Sequence, residues 1–177
     1  MAEYLFHSDR LGFRAWDKSS DLDALAAINA SKVVMEFFPS TQDKAQTKGF
    51  IEKQKAKFSK MGYCFFNVDE MQTGNCIGFI GITDVSFESD FTPAVEIGWR
   101  LDHHTWGKGY ATEGAQRCLE WAKEHGILEI VSFTALPNQR SEKVMKKIGM
   151  EHIGFFKHPL LPNDNWLSQH TLYKIKL

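Results

Sequence analysis

The chain has 177 residues, of which 43% are hydrophobic and 13% aromatic, a composition that predicts a single globular domain spanning residues 1–177. Its 21 lysines and arginines and 22 aspartates and glutamates give a formal net charge of −1, without a run of like charge. This balance excludes a basic nucleic-acid-binding stripe and a basic membrane-binding surface, so neither partner is expected.

The start of the chain and its cysteines indicate a cytoplasmic protein. The opening MAEYLFHSDR lacks a basic segment followed by an apolar one, and no apolar run approaches the roughly 20 residues of a membrane span. Cys64, Cys76 and Cys118 are odd in number and lack C-x-x-C spacing. This favours reduced packing residues over a disulfide framework or a zinc site.

The first half of the chain predicts one strand, two helices and three further strands. LGFRAW, from Leu11, alternates apolar residues as a strand does, and Ser20 is the expected N-cap of a helix. A second, lysine-rich helix is expected from about Thr41 to Met61. Strands follow in YCFFNVD, CIGFIGITDV and AVEIGWRL, and the connector EMQTGN predicts that the first two form an antiparallel hairpin.

The second half predicts two helices and three strands. An amphipathic helix follows the third of those strands and ends near Gly126, and NQRSEKVMKKIG predicts a helix that stops at Gly149. Strands are expected in EIVSFTA and within Glu151–Lys157 and Thr171–Leu177. The predicted fold is α+β: a mixed, mostly antiparallel sheet of about six or seven strands flanked by helices, with one crossover around residues 94–135.

Two glycines stand in the turn before the amphipathic helix, in HHTWGKGYATEG (His103 to Gly114). Glycine costs about 0.5–1 kcal/mol relative to alanine in regular structure, so Gly107 and Gly109 should provide a special conformation or a close approach. Unpaired N–H groups and the helix dipole make a helix N-terminus an anion site. The sequence therefore predicts phosphate binding at this turn.

Two common phosphate-binding motifs fit this segment poorly. The dinucleotide fingerprint needs a small residue where Thr112 stands, and the P-loop needs Ser or Thr after Lys108, where Gly109 follows. A nucleotide-binding module that uses the same glycines is one alternative function.

WGKGYA, Trp106 to Ala111, resembles the acetyl-CoA signature Q/R-x-x-G-x-G/A of the GNAT (GCN5-related) N-acetyltransferases, with Trp106 in the first position. VEIGWRL is similar to the fourth strand of that family, and PNQRSEKVMKKIGM to its later N-x-x-S/A segment. WGKGYATE further resembles the branch that contains the ribosomal-protein N-terminal alanine acetyltransferases. The resemblance covers nearly the whole chain and implies the GNAT fold.

The resemblance implies acetyl-CoA as cosubstrate and no metal. Backbone groups of Trp99 and Leu101 would bind the pantetheine arm, while the pyrophosphate would be held by Gly107, Lys108, Gly109, Ala111 and Thr112. Asn138 and Ser141 would flank the arm and the thioester from the other side. Their residue types alone also allow a helix cap at Asn138 and a locally bonded hydroxyl at Ser141.

Acyl transfer to an amine needs a neutral amine, a polarised thioester carbonyl and a protonated leaving thiol. Glu96 is the candidate base, expected to matter most at low pH, and a solvent-facing carboxylate is the alternative. Met145 replaces the usual tyrosine acid of the family and cannot donate a proton, so Ser141 or water would serve. The cysteines lie among apolar neighbours, which favours direct transfer in a ternary complex over an acyl-cysteine.

FFKHPLLPNDNW…QH predicts a proline-rigid loop that lines the acceptor site, with His158, Trp166 and His170 as candidate substrate residues or as structural ones. Neither histidine has a partner at metal-ligand spacing. The resemblance favours a protein N-terminus as acceptor. The alternatives are a small amine (a polyamine, amino sugar or drug) and a non-catalytic acyl-CoA-binding sensor, and a monomer and a homodimer are equally compatible with the sequence.

Overall fold

A computed structural model describes residues 3–17 and 19–177, which form eight strands and four α-helices. The strands are β1 (Phe6–His7), β2 (Leu11–Arg14), β3 (Phe65–Glu70), β4 (Asn75–Asp84), β5 (Val95–Leu101), β6 (Glu129–Ala135), β7 (Glu151–Lys157) and β8 (Gln169–Lys176). The helices are α1 (Ser20–Ala30), α2 (Lys44–Met61), α3 (Tyr110–Glu124) and α4 (Gln139–Lys147), and a 3₁₀ turn spans His103–Thr105.

The strands form one open sheet in the order β1-β2-β3-β4-β5-β6-β8-β7. Neighbouring strands are antiparallel except β5 and β6, which are parallel and are connected through α3. The predicted α+β fold with one crossover is thus confirmed. The sheet has eight strands rather than six or seven because β1, with two residues, is too short to show an alternating pattern.

Two helices start away from their expected positions. α1 already includes Ser20, and Ser19 precedes it without a side-chain cap. α2 begins at Lys44 because Asp43 and Gln46 form a capping box, with hydrogen bonds of 2.7 and 2.9 Å between each side chain and the backbone N–H of the other. None of the helices in the described ranges is both long and apolar enough to cross a membrane.

Both faces of the central strands are covered by helices. One face packs on α3 in a cluster that includes Phe66, Ile80, Ile97 and Trp121, and the other packs on α1 and α2 around Trp16, Leu25, Ile51 and Phe79. Because side chains alternate along a strand, β5 turns Ile97, Trp99 and Leu101 toward α3 and turns Glu96, Gly98 and Arg100 toward α1 and α2.

A buried ion cluster joins α1 to strands β2 and β3. Arg14, 3% exposed, donates to Asp21 at 2.8 and 2.7 Å and to Asp69 at 2.8 and 3.0 Å. The two carboxylates are 2% and 0% exposed. Buried charges are tolerated when they are paired and hydrogen-bonded, so this arginine fixes α1 against the sheet.

We expect Arg14→Leu to lower the free energy of unfolding by about 3–5 kcal/mol, because removing one partner leaves buried charge uncompensated. Urea denaturation measures the change. Lys55→Met is the control, since Lys55 forms an exposed pair with Glu52, and it should cost only about 0–1 kcal/mol. Equal losses in the two variants would show that the buried cluster does not stabilise the fold.

Candidate functional site

Strands β5 and β6 separate from each other near the middle of the sheet. Within the described chain they pair only at Glu96 and Val131, whereas β5 pairs with β4, and β6 with β8, over seven residues each. Beside that pair the Ser132 hydroxyl donates to the Ile97 carbonyl at 3.0 Å. Beyond it the strands leave a gap between them, whose backbone groups are free to bind a ligand.

The backbone of β5 presents Trp99 and Leu101 to this gap. The Asp102 N–H donates to the Ile77 carbonyl on the β4 side at 2.8 Å, so residues at odd positions before it turn their N–H and C=O groups the other way. The Leu101 carbonyl already accepts from the Trp106 indole N–H at 3.0 Å. Both backbone groups of Trp99 and the Leu101 N–H therefore remain for a ligand.

The glycine turn has the special conformation that its sequence predicts. Gly107 and Gly109 have φ angles of 79° and 84°, in the left-handed region that favours glycine. Among the residues that the structure describes, a Cβ atom at Gly107 would meet nothing within 4 Å, and one at Gly109 would meet only Arg10 Nη2 at 3.6 Å. Backbone conformation, not crowding, requires these glycines, and the space beside them is open.

The N-terminus of α3 follows this turn directly. Its first backbone bond runs from the Glu113 N–H to the Gly109 carbonyl at 3.0 Å, and Gly109 provides no side-chain cap. The N–H groups of Tyr110, Ala111 and Thr112 precede this bond and have no acceptor within the helix. Together with the helix dipole they form a site suited to a phosphate.

Two cations flank the turn. Lys108 Nζ lies 3.7 Å from the Glu70 carboxylate, so its charge is already paired. Arg10 donates from Nε to Glu113 Oε2 at 2.7 Å and from its backbone to Oε1 at 2.9 Å. Sequence reasoning missed Arg10, because no local pattern connects residues 103 positions apart.

The residues on the other side of the gap serve first as a helix cap. Asn138 Oδ1 accepts from the Ser141 N–H at 3.3 Å, while its Nδ2 donates to Thr134 Oγ1 at 2.9 Å and to Ser141 Oγ at 3.1 Å. The cap interpretation of Asn138 is therefore confirmed. Because the Ser141 hydroxyl accepts in this network, its own proton remains available to a ligand.

Glu96 is half-buried at the point where β5 and β6 still pair. Burial raises the pKa of its carboxyl to about 7, and the positive charge of Lys57 partly opposes this. Lys57 is held nearby by its hydrogen bond to Thr83, the residue opposite Glu96 on β4. With a pKa of about 7 this carboxyl is mainly protonated at lower pH, so we expect its contribution as a base to grow as the pH rises through 7, where the sequence alone predicted the largest effect at low pH.

A cluster of rings lies on the sheet face that carries Glu96, since Val131 pairs with Glu96 and Phe133 points the same way. Its members are Phe87, Phe91, Phe133, Phe156, His158 and His170. The two histidine rings are 5.0 Å apart. Burial lowers the pKa of His158 and lowers that of His170 to about 4, so both are neutral at pH 7.

Trp166 does not join this ring cluster. It is 61% exposed, and its ring faces Phe37 at 6.2 Å, in the segment between α1 and α2. The structure therefore brings together two of the three candidate substrate residues and places the third apart from them.

Asp102, His103 and His104 place ligand-type side-chain atoms within 4.8 Å of one another. Asp102 Oδ1 caps the 3₁₀ turn, accepting from the His104 backbone N–H at 3.1 Å and lying 2.9 Å from its Nδ1. This group supports the turn that leads into Gly107.

A gap between two parallel strands beside an open helix N-terminus is suited to an extended ligand that carries a phosphate group. Residues 10–151 match the family model described as an acetyltransferase (GNAT) domain, and the chain belongs to this family.

Three relatives illustrate the match. The chain is 27% identical over 154 residues to the uncharacterized N-acetyltransferase YnaD of Bacillus subtilis, covering 85% of each. A GNAT-family acetyltransferase structure from Bacillus anthracis is 26% identical with a TM-score of 0.78, covering 96% of each chain. RimL, a ribosomal L7/L12 α-N-protein acetyltransferase in complex with coenzyme A, shares the fold at 19% identity and a TM-score of 0.80, over 99% of this chain and 98% of its own.

We expect Gly109→Val to raise the Kd for acetyl-CoA about tenfold or more, because a β-branched residue at positive φ is strained by about 1–3 kcal/mol and the turn must change shape. Calorimetric titration measures the affinity. Gly126→Val is the matched control, since Gly126 follows the other end of α3 with a φ of 78° and open space around it. If both variants keep wild-type affinity while folded, the turn does not hold the cosubstrate.

The raised pKa of Glu96 also predicts a pH-dependent effect on stability. The folded protein binds this proton more tightly than the unfolded chain, so ionised Glu96 destabilises the fold as pH rises from about 4.5 to 7 and above. Relative to wild type, Glu96→Gln should therefore melt at a progressively higher temperature between pH 5 and pH 8. Glu88→Gln removes an exposed carboxylate as a control. A Glu96→Gln difference that stays constant across this range would contradict the raised pKa.

Proposed function

We propose that this chain transfers the acetyl group of acetyl-CoA directly to a primary amine, and that the acceptor is a protein N-terminus. The observation that carries the proposal is the Glu96 carboxyl, which has a pKa of about 7 and lies where the gap between β5 and β6 opens. The RimL structure, which holds coenzyme A and acetylates a protein α-amino group, supports both the cosubstrate and the acceptor class.

Acetyl-CoA binds across the gap in this proposal. The pantetheine arm pairs with the exposed backbone of Trp99 and Leu101, as an added strand would. The pyrophosphate lies on the first N–H groups of α3, with Ala111 and Thr112 among the donors and Gly107 and Gly109 keeping the approach open. Asn138 and Ser141 bound the arm from the α4 side.

In the chemical step the amine nitrogen bonds to the thioester carbonyl carbon and gives up a proton to Glu96. The carbon–sulfur bond then breaks, and the thiolate takes a proton to leave as coenzyme A. An α-amino group has a pKa of about 7.7–8.0, against about 10.4 for lysine. A base with a pKa near 7 is therefore better matched to an N-terminal amine than to a lysine side chain.

The proton for the leaving thiolate cannot come from Met145, which is 1% exposed and lies in the core. Ser141 is half-buried beside the gap, and its hydroxyl proton is not used by the Asn138 network. We assign Ser141, or water held by it, as the donor.

The three cysteines favour direct transfer over an acetyl-cysteine intermediate. All are free thiols. Burial raises the pKa of Cys64 and Cys76 to about 12 and raises that of Cys118 as well. The nucleophilic thiolate is thus scarce at each, and initial-rate plots for the two substrates should intersect rather than run parallel.

The proposal is tested by coenzyme A release with alanine-, serine- and methionine-initiated peptides over pH 6–9. In wild type kcat/KM should rise through pH 7 as Glu96 ionises. Glu96→Gln should lower kcat/KM by about 10²-fold or more at pH 7.5, and its remaining activity should follow only the peptide amine, near pH 8.

Glu88→Gln, which removes an exposed carboxylate, should keep the wild-type profile. An unchanged profile in Glu96→Gln would remove this residue from the mechanism. Turnover of polyamines or amino sugars but of no peptide would show that the acceptor is a small amine. Coenzyme A binding without turnover of any amine would favour a non-catalytic acyl-CoA-binding sensor.

A further inference from the structure

Arg100 is a buried cation on the face of β5 that carries Glu96. It lies at the C-terminal end of the strand, is 9% exposed and points toward α1 and α2. It is four positions along the strand from Glu96, which places the two Cα atoms about 13 Å apart at roughly 3.3 Å per residue. Gly98 between them has no side chain, and the Phe65 ring lies over it. The surface between base and cation is therefore apolar.

The Arg100 guanidinium has few partners for so buried a charge. Nη1 donates to Asn29 Oδ1 at 2.8 Å, while Nε is enclosed without a hydrogen-bond partner. Among residues 3–17 and 19–177, no carboxylate lies within ion-pair distance of it. Burial without compensation lowers its pKa to about 10.

Arg14 shows how this chain treats a buried arginine whose role is structural. Its guanidinium is saturated by two buried carboxylates and a backbone carbonyl. Arg100 lacks such carboxylate partners among the described residues. A buried charge without a counterion is costly unless a ligand pairs with it. The difference indicates that the missing anion comes from outside the chain.

Two phenyl rings contact the Arg100 guanidinium. Its Cζ atom lies 4.3 Å from the ring centroid of Phe38 and 5.2 Å from that of Phe79. Phe38 is 37% exposed and belongs to the segment between α1 and α2, so one of the rings that contact the cation is itself at the surface. Nε–H and one N–H of Nη2 lie along the same edge of the guanidinium, so an anion that reaches this edge can accept two parallel hydrogen bonds.

We propose that Arg100 determines acceptor specificity by binding a carboxylate at the second or third residue of the acetylated N-terminus. This inference rests on the proposed function, in which the amine lies at Glu96. An extended peptide advances at most about 3.3–3.6 Å per residue. An acidic side chain two residues from the amine therefore spans the distance between Glu96 and Arg100, while a backbone α-carboxylate next to the amine does not.

The test compares a peptide that begins Ala-Glu-Glu with its counterpart Ala-Gln-Gln. Wild type should acetylate the acidic peptide with a kcat/KM about 10–100-fold higher, the usual range for a charge-assisted hydrogen bond. Arg100→Met should remove this preference without changing kcat/KM for the Ala-Gln-Gln peptide or the Kd for coenzyme A. Arg100→Lys should restore it in part, since lysine lacks the planar fork. Arg117→Met, on the outward face of α3, controls for loss of one positive charge.

Stability separates this role from a structural one. Because Arg100→Met removes an uncompensated buried charge, it should melt at or above the wild-type temperature. A clear loss of stability together with an unchanged peptide preference would make Arg100 a tether for Asn29 and overturn the inference, as would equal kcat/KM for the two peptides in wild type.

A second acceptor pair distinguishes failure of this inference from failure of the proposed function. Suppose that no peptide reacts, but that wild type acetylates ε-aminocaproate with a higher kcat/KM than its amide and Arg100→Met does not. The acceptor is then a small amine and not a protein N-terminus, and Arg100 still binds the carboxylate. If no amine reacts, the inference is tested by calorimetric titration of the Ala-Glu-Glu and Ala-Gln-Gln peptides into the complex of the protein with coenzyme A. Tighter binding of the acidic peptide supports the site, and equal or absent binding overturns it.

Discussion

One strand pairing holds the two halves of the sheet together where they diverge. Within the described chain, β5 and β6 form a single backbone pair, at Glu96 and Val131, while full ladders to β4 and β8 fix each strand from its outer side. The gap beyond this pair is therefore a fixed feature of the sheet, not a frayed edge. The same pairing places the candidate base beside the gap, so the cosubstrate surface and the carboxyl that would accept the proton depend on one constraint.

The second requirement is that the α3 N-terminus stay available to an anion. Glu113, in its first turn, would by itself repel a phosphate. Its carboxylate accepts from Ser8 at 2.7 Å and from the Arg10 side chain and backbone at 2.7 and 2.9 Å, which pairs its charge with a cation. The turn between β1 and β2 thus anchors α3 and, with the positive-φ glycines, leaves the first N–H groups exposed.

Three ionisable groups that are wholly or partly buried show that burial has different consequences at different sites. Arg14 is matched by two carboxylates and stabilises the fold. Glu96 is only partly compensated by Lys57, and burial places its pKa near the working range of a base. Arg100 has an amide partner and two rings but no carboxylate among the described residues, which suits it to an anionic ligand. At Glu96 and Arg100 the incompletely paired charge lowers the stability of the fold, as is common at functional sites.

The sequence by itself determined the order of helices and strands, the mixed sheet with one crossover, and the glycine conformation at Gly107 and Gly109, because periodicity, capping and φ preferences are local properties. It did not decide whether Asn138 is a helix cap or a cosubstrate contact, or whether Glu96 is a base or a solvent-facing carboxylate. Only the tertiary structure decided the gap after Glu96, the approach of Arg10, the separation of Trp166 from the ring cluster and the missing counterion of Arg100. These depend on strand register, burial and charge partners, which residues far apart in the chain create only when they meet in the fold.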